Sequence, residues 1–337
     1  MKLLAYLVRR LGSLVLVLLG MSVIVFLLLR SLPGDPAVMA AGGADATPEA
    51  IAKVRQEMGL DRPLVVQYGL FVQNLLRGDL GRSIVTRREV LDDMKAFLPA
   101  TVELALTSVF LACLLGIPMG VLSAVYRGRW PDALFKPFSV FAASMPVYWL
   151  GLMAVLVFYG LLGWLPAGGR LSAGTAMTAE VTGLYTVDAV LAGRPDLLWD
   201  ALRHLVMPAA VLSGISLGNI ANLTRATMLE TLAEPFIVTA RAKGLPEAAV
   251  VVRHAFRNIT MPLVTVVGIQ LGQLMGGVVL TETIFSWPGL GLYAVSALDN
   301  FDYPILMIFT LVYSCLYAGI NILVDLLCGF LNPQLSV

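Results

Sequence analysis

Six apolar runs govern what this chain can fold into: Leu11–Leu29, Val102–Tyr126, Phe138–Leu162, Leu205–Leu223, Ile259–Leu280 and Ile305–Leu327. Each is near the roughly 20 residues that a helix needs to cross a bilayer's hydrocarbon core. Lipid offers the backbone no hydrogen-bond partner, so each run must satisfy its own amides and carbonyls as a helix. The composition agrees, with 58% hydrophobic and 13% charged residues and a mean hydropathy of +0.84. Soluble domains stay near 45–50% apolar and about 25% charged. The expected fold class is an all-α integral membrane protein with six transmembrane helices. One N-terminal span precedes a five-helix core, and a sizeable extracytoplasmic loop follows the first span.

Lys2, Arg9 and Arg10 precede the first run, which raises the possibility of a signal peptide. A secretory apolar segment is shorter, about 7–15 residues, so an uncleaved span is the better reading. Basic residues set the orientation. They recur at the amino end, at Arg127, Arg129 and Lys136, and at Arg225, Arg241, Lys243, Arg253 and Arg257, whereas Thr281–Pro304 has none. Both termini are therefore expected in the cytoplasm. Ser31–Pro99, Gly163–His204 and Thr281–Pro304 then face outward. In the first of these loops Leu64, Tyr68, Phe71 and Leu75 recur at helical spacing and stop near Gly78. They predict one or two short helices, resting on lipid or forming a docking surface.

The expected divisions are a cytoplasmic amino end with the first span (1–30), an outer loop (31–99), a core of five spans (100–327) and a cytoplasmic tail (328–337). Within the core, residues 224–258 form a cytoplasmic loop. Glu234-Pro235 opens a helix there, Ala240 and Ala242 permit close approach, and Gly244 follows Lys243 where a helix should end. Pro246-Glu247 opens a second short helix with Val250, Val251 and Ala255 on its apolar side, and Arg253 and Arg257 four apart on one face. From residues alone, a solvated basic loop and a platform for a partner are equally good readings.

Several chemical signatures fail on context. Gly214-Ile215-Ser216-Leu217-Gly218 fits the Gly-x-Ser-x-Gly pattern of a nucleophile elbow, which needs a strand-to-helix turn and a nearby base. Here it falls inside an apolar helix, and the two histidines, His204 and His254, are poorly placed to activate Ser216. The Gly214/Gly218, Gly116/Gly120 and Gly272/Gly276 pairs read instead as close helix packing. No lysine follows a glycine, so the Walker A phosphate loop is missing. Cys113, Cys315 and Cys328 sit in apolar runs without metal-ligand spacing, and no carboxylate–histidine cluster suggests a metal. A net charge of +1 gives no basic face for nucleic acid. Asn219, Gln270 and Gln273 are candidates for lining a polar path across the membrane, while Glu103 and Asp325 fit the bundle interior and the membrane interface equally well.

The loop resembles the cytoplasmic coupling motif of binding-protein-dependent ABC importer permeases, Glu-Ala-Ala-x-x-x-Gly followed by Ile-x-Leu-Pro. Val238-Thr239-Ala240 stands in place of Glu-Ala-Ala, followed by Gly244 and Ile259-Thr260-Met261-Pro262. The missing glutamate, Met261 and the long spacer are similar to the branch importing dipeptides, oligopeptides, nickel and glutathione. So are RSLPGDP (Arg30–Pro36), MGLDRPLVVQY (Met58–Tyr68), LLRGDLGRS (Leu75–Ser83), MPVYW (Met145–Trp149), TETIFSWPGLG (Thr281–Gly291) and Asn332-Pro333. The resemblance covers essentially the whole chain and is nearest to the first, B-type, permease subunit of dipeptide importers. It implies a permease of the bacterial inner membrane without catalytic residues or a cofactor of its own, ATP and Mg being bound by partners. Those partners would be a paralogous second permease, two ABC ATPases and an extracytoplasmic solute-binding protein. Glu234, Thr239, Ala240, Arg241, Ala242, Lys243, Gly244, Arg253 and Pro262 would form the ATPase-coupling loop. Glu282, Trp287, Pro288 and Gly289 are candidates for an outer gate or docking surface. An intramembrane serine protease and a passive channel are the rival classes.

Overall fold

A computed structural model describes residues 2–31, 35–178 and 180–331. Part of Arg30–Pro36 and all of Asn332-Pro333 lie outside the described residues. Among the described residues five helices are long and apolar enough to span a membrane, or six if one bent pair counts as a single span. Among the described residues the only β-bridge is an isolated one, Arg82 with Glu89. The chain divides into two compact units, Leu3–Pro99 with Pro288–Ala318, and Ala100–Trp287 with Gly319–Val337.

The first unit begins with α1 (Lys2–Ser31), which contains the first apolar run. Three short helices follow: α2 (Pro36–Ala41), α3 (Pro48–Glu57) and α4 (Leu64–Leu76). Asp35 and Thr47 start α2 and α3 by accepting hydrogen bonds from Ala37 N (3.0 Å) and Ala50 N (3.3 Å), each just ahead of a proline in the first turn. The stripe predicted on α4 is used inside the unit. Tyr68, Phe71 and Leu75 pack with Phe26, Leu29, Tyr303 and Met307 or their neighbours, while Leu64 stays exposed. The Tyr68 hydroxyl also meets Ser22 Oγ of α1 at 2.9 Å.

The opening turns of α5 (Val90–Val125), α13 (Leu290–Asp299) and α14 (Tyr303–Leu331, here up to Ala318) complete the first unit. Val90, Met94, Leu290, Ile305 and Ile308 form its apolar centre. Two fully buried carboxylates tie the 81–89 loop down. Asp93 accepts from Thr86 Oγ1 (2.6 Å) and the Tyr293 hydroxyl (2.5 Å), and Asp302 from Ser83 Oγ (2.7 Å) and Val85 N (3.1 Å).

The second unit holds the rest of α5, then α6 (Trp130–Ser144), α7 (Val147–Ala154) running into a π-helical stretch (Val155–Leu161), α8 (Tyr185–Leu191) and α9 (Pro195–Leu232). The third apolar run is not one straight span, as its sequence predicted. It breaks at Met145-Pro146, and the halves diverge by 102°. Proline disfavours the helical conformation of its predecessor, and Met145 is extended (φ −76°, ψ 130°). α9 instead continues unbroken through Pro208 for 38 residues.

Glycines set the closest helix contacts. A Cβ on Gly120 would lie 2.5 Å from Thr224 Cβ, and one on Gly218 would lie 2.4 Å from the Ser139 carbonyl oxygen. α5 and α6 therefore press directly on α9, as the small-residue spacing predicted. Gly214 is different, since its nearest neighbour would stand 3.7 Å away.

The 163–204 segment is fastened by buried charge. Arg170 Nη2 donates to Glu103 Oε2 (2.6 Å) and the Gly183 carbonyl (2.7 Å), with the guanidinium 3.5 Å from the Tyr185 ring centroid. Glu103 Oε1 accepts from Thr186 N and Oγ1 (2.8 and 2.7 Å). Glu103 is thus a buried ion-pair partner, and Arg170 is a partner that the apolar pattern gave no reason to seek.

Candidate coupling helix

α9 stops at Leu232, and after an extended Glu234 the chain enters α10 (Pro235–Ala242), with Pro235 in the first turn. Ile237 and Ala240, three residues apart, point the same way and are buried. They pack with Met228 of α9, Ala124 of α5, and Val250, Val251, Ala255, Ile259 and Leu263 further on. Phe236, Val238, Thr239, Ala242 and Lys243 remain exposed. α10 is therefore clamped on one side and free on the other.

Ala240 lies on the clamped side, so its small size serves this chain's own packing rather than a groove on a partner. Ala242 lies on the free side. The end of α10 follows the glycine rule. Leu245 N reaches the Ala240 carbonyl (3.4 Å), Gly244 N reaches Arg241 (2.9 Å), and Gly244 has φ +75°. A Cβ there would meet nothing within 4 Å, so Gly244 is required by backbone conformation and not by crowding.

Beyond the turn, α11 (Glu247–Ala249) passes through a π-helical segment (Val250–Phe256) into α12 (Arg257–Ile284). The second short helix expected after Pro246 is thus the start of one continuous rod. Val250, Val251 and Ala255 supply its buried side, as their pattern predicted, and Arg253 and Arg257 are exposed. Pro262 lies inside α12. Arg241 spans the Gly244 turn to Glu247 with two bonds, Nε to Oε2 (3.1 Å) and Nη2 to Oε1 (2.6 Å). The bond to Glu247 raises the Arg241 pKa further above its already high ordinary value. Exposed pairs of this kind add at most about 1 kcal/mol, so its role is to fix the turn.

The remaining candidates fall elsewhere. Asn219 and Gln273 are exposed on α9 and α12, whereas Gln270 is buried, its Nε2 without a hydrogen-bond partner among the described residues. Glu282 and Trp287 are buried. Glu282 accepts from Thr101 Oγ1 (2.6 Å), and Trp287 Nε1 donates to the Ala100 carbonyl (2.9 Å). Both hold α12 against α5 and offer no docking surface. Pro288 is exposed, and Gly289 precedes α13.

Ser216 is buried within α9, and His204, twelve residues earlier on that helix, bonds the Asp200 carbonyl (2.9 Å). At 1.5 Å per residue the two are about 18 Å apart along the axis, far beyond proton-transfer reach. Sequence reasoning missed a second, half-buried pair. Asp132 of α6 binds Arg225 of α9 twice (2.8 and 3.0 Å), and Arg225 had counted only as a loop cation.

A helical bundle that crosses the membrane and carries a half-exposed helix between two of its long members has the architecture of a transporter's membrane component. Residues 116–337 match the family described as binding-protein-dependent transport system inner membrane component, and residues 3–105 match its N-terminal family. The chain belongs to this family of ABC importer permeases. It is 44% identical over 97% of its length, and 96% of the relative's, to the probable D,D-dipeptide transport system permease protein DdpB of Escherichia coli K12. It is 39% identical, over 99% of both chains, to the dipeptide transport system permease protein DppB of Alkalihalophilus pseudofirmus. Among solved structures, an inward-facing form of the MetNI methionine ABC transporter shares the fold. Its TM-score is 0.53 at 16% identity, covering 69% of this chain and 93% of that one.

Proposed function

We propose that this chain is the permease half of an ATP-driven importer that carries dipeptides or short oligopeptides inward across the bacterial inner membrane. The observation that carries the reading is the two-sidedness of α10. Ile237 and Ala240 are locked into the core, while Val238 and Ala242, four residues apart, offer a small apolar face to water, with Phe236 exposed at the edge of the clamped side. Such a face is costly unless something covers it. A helix laid in a groove on an ATPase would cover it, and buried Met228 would pass each movement of that helix to α9. Both termini and α10 are then cytoplasmic, consistent with the basic residues around them. The full-length dipeptide-permease relatives support the substrate class.

In this reading a paralogous permease forms the other half of the path, two ATPases supply the energy, and an extracytoplasmic binding protein delivers the solute. Exposed Asn219 and Gln273 line the path, with buried Gln270 behind them. The test is co-purification from the native membrane and reconstitution in vesicles. Uptake of alanyl-alanine, in L,L or D,D form, should require ATP and the full complex, and the isolated chain should neither hydrolyse ATP nor conduct. Uptake of glutathione or nickel in its place would move the substrate assignment. Conduction by the chain alone would sink the importer reading.

A further inference from the structure

The apolar cluster that holds α10 draws residues from α5, α9, the π segment and α12 and, among the described residues, none from α6. The inner end of α6 is held by charge. Asp132, in its first turn, is 8% exposed and accepts from four donors: Ser123 Oγ (2.6 Å), Gly128 N (3.0 Å), and Arg225 Nε and Nη2 (2.8 and 3.0 Å). Arg225 Nε is also 3.0 Å from Ser123 Oγ. Ser123 adjoins Ala124, and Arg225 stands three residues before Met228 on α9, so both donors flank residues that touch α10.

Further along α6 lies Pro137, and then the close approach of Gly218 to Ser139 and Ala143. α6 thus has two attachments to α9, the charged one at its end and the glycine contact some 10–16 Å along its axis at 1.5 Å per residue. A rod held at two such points turns about one when the other is pushed.

We propose that Asp132 and Arg225 are positioning residues for transport, the joint through which movement of α10 and the inner end of α9 reaches α6. The chemistry suits the task. A bidentate guanidinium–carboxylate pair resists sliding and rotation, where an apolar contact would let the helices slip. Because Ser123 and Gly128 satisfy the other lone pairs of Asp132, the pair survives removal from water. α5, the 126–129 turn, α6 and α9 therefore move together at their inner ends, and α6 carries the motion towards the bend at Met145-Pro146.

This inference rests on the importer reading above, so the experiment separates the two. The full complex is assembled with wild-type chain, Asp132→Asn or Arg225→Lys. Uptake rate per assembled complex, KM for alanyl-alanine and ATP hydrolysis are then measured. The wild type should take up the dipeptide at the expense of ATP; failure there overturns the importer reading and this proposal with it. In the variants the amount of assembled complex and KM should stay within about twofold of wild type. Uptake per ATP should fall about tenfold, the scale of a lost coupling between sites. The charge-swapped double variant, Asp132→Arg with Arg225→Asp, should recover part of the rate. A wild-type uptake-to-ATP ratio in both single variants overturns the proposal. So does loss of assembly in both, which would assign the pair to folding alone.

Discussion

Gly214 and Gly218 belong to one sequence pattern, yet they should respond oppositely to the same added methyl. At Gly218 an alanine Cβ would stand 2.4 Å from the Ser139 carbonyl oxygen, 2.7 Å from Ala143 Cβ and 2.9 Å from Ala143 N. Carbon needs about 3.5 Å, so α6 and α9 must part by roughly 1 Å. Two of the three obstacles are backbone and cannot rotate away. Overpacking of this kind costs about 1–3 kcal/mol, and the gain from replacing a helical glycine recovers about 1. The displacement also strains the bond from Ser139 Oγ to Asn222 Oδ1 (2.8 Å). Gly218→Ala should therefore destabilise by up to about 2 kcal/mol. At Gly214 the nearest atoms would be 3.7 and 3.8 Å away, which is ordinary contact. Gly214→Ala should be neutral or stabilise by up to about 1 kcal/mol. Unfolding of the detergent-solubilised chain, followed by helical circular dichroism, measures both. Equal shifts for the two variants would show that α6 does not meet α9 at Gly218.

Other outcomes follow from the buried charges and the coupling turn. Arg170→Met strands Glu103 without its cation and should cost about 3–5 kcal/mol, whereas the double variant with Glu103→Leu should regain much of it; a single-variant loss under about 1 kcal/mol refutes the buried pair. Burial would raise the Asp188 pKa, but bonds from the Thr182 hydroxyl and amide (2.7 and 2.8 Å) and Gly183 N (2.9 Å) outweigh it and hold it below 3.8. That depressed value stabilises the 182–188 turn at neutral pH and ceases to do so as pH falls through the folded pKa. Proteolysis of this segment should then rise only in acid, and Asp188→Asn should show the raised rate at pH 7; a pH-independent rate in the wild-type chain would contradict the assignment. Gly244→Asn, which tolerates a left-handed backbone, should leave uptake near normal, while Gly244→Val should abolish coupling without affecting membrane insertion. Equal uptake from the two would mean that the turn is not needed.

How much was legible in the sequence depended on which force set each feature. Long apolar runs must be helices wherever they meet lipid, so α1, α9, α12 and α14 could be placed from hydropathy alone. Their ends could not. α5 begins at Val90, twelve residues before its apolar run, because the buried Asp93 carboxylate is held by Thr86, Tyr293 and Arg88, partners that no local pattern reveals. The break in the third run was marked by Pro146, but Pro208 has the same local chemistry and leaves α9 continuous. Glycine spacing disclosed a packing face but not which glycine is tight, since that depends on the helix opposite. In the coupling loop the turn at Gly244 was readable from its own residues. The inward face of Ala240 was not, because Met228 and Val250 decide it.

The buried and half-buried ion pairs show why hydropathy alone undersells this fold. Glu103–Arg170 and Asp132–Arg225 each join a long helix to a segment that the apolar pattern leaves loose: the 163–204 loop in one case and the start of α6 in the other. In an apolar bundle, dispersion holds helices side by side but discriminates weakly among small slides along the axis. A charged pair discriminates strongly, because a slide leaves each ion facing a medium that cannot solvate it. The desolvation cost makes such pairs poor sources of net stability. Their value lies in fixing one register, and a protein whose helices must shift together needs registers that do not slip.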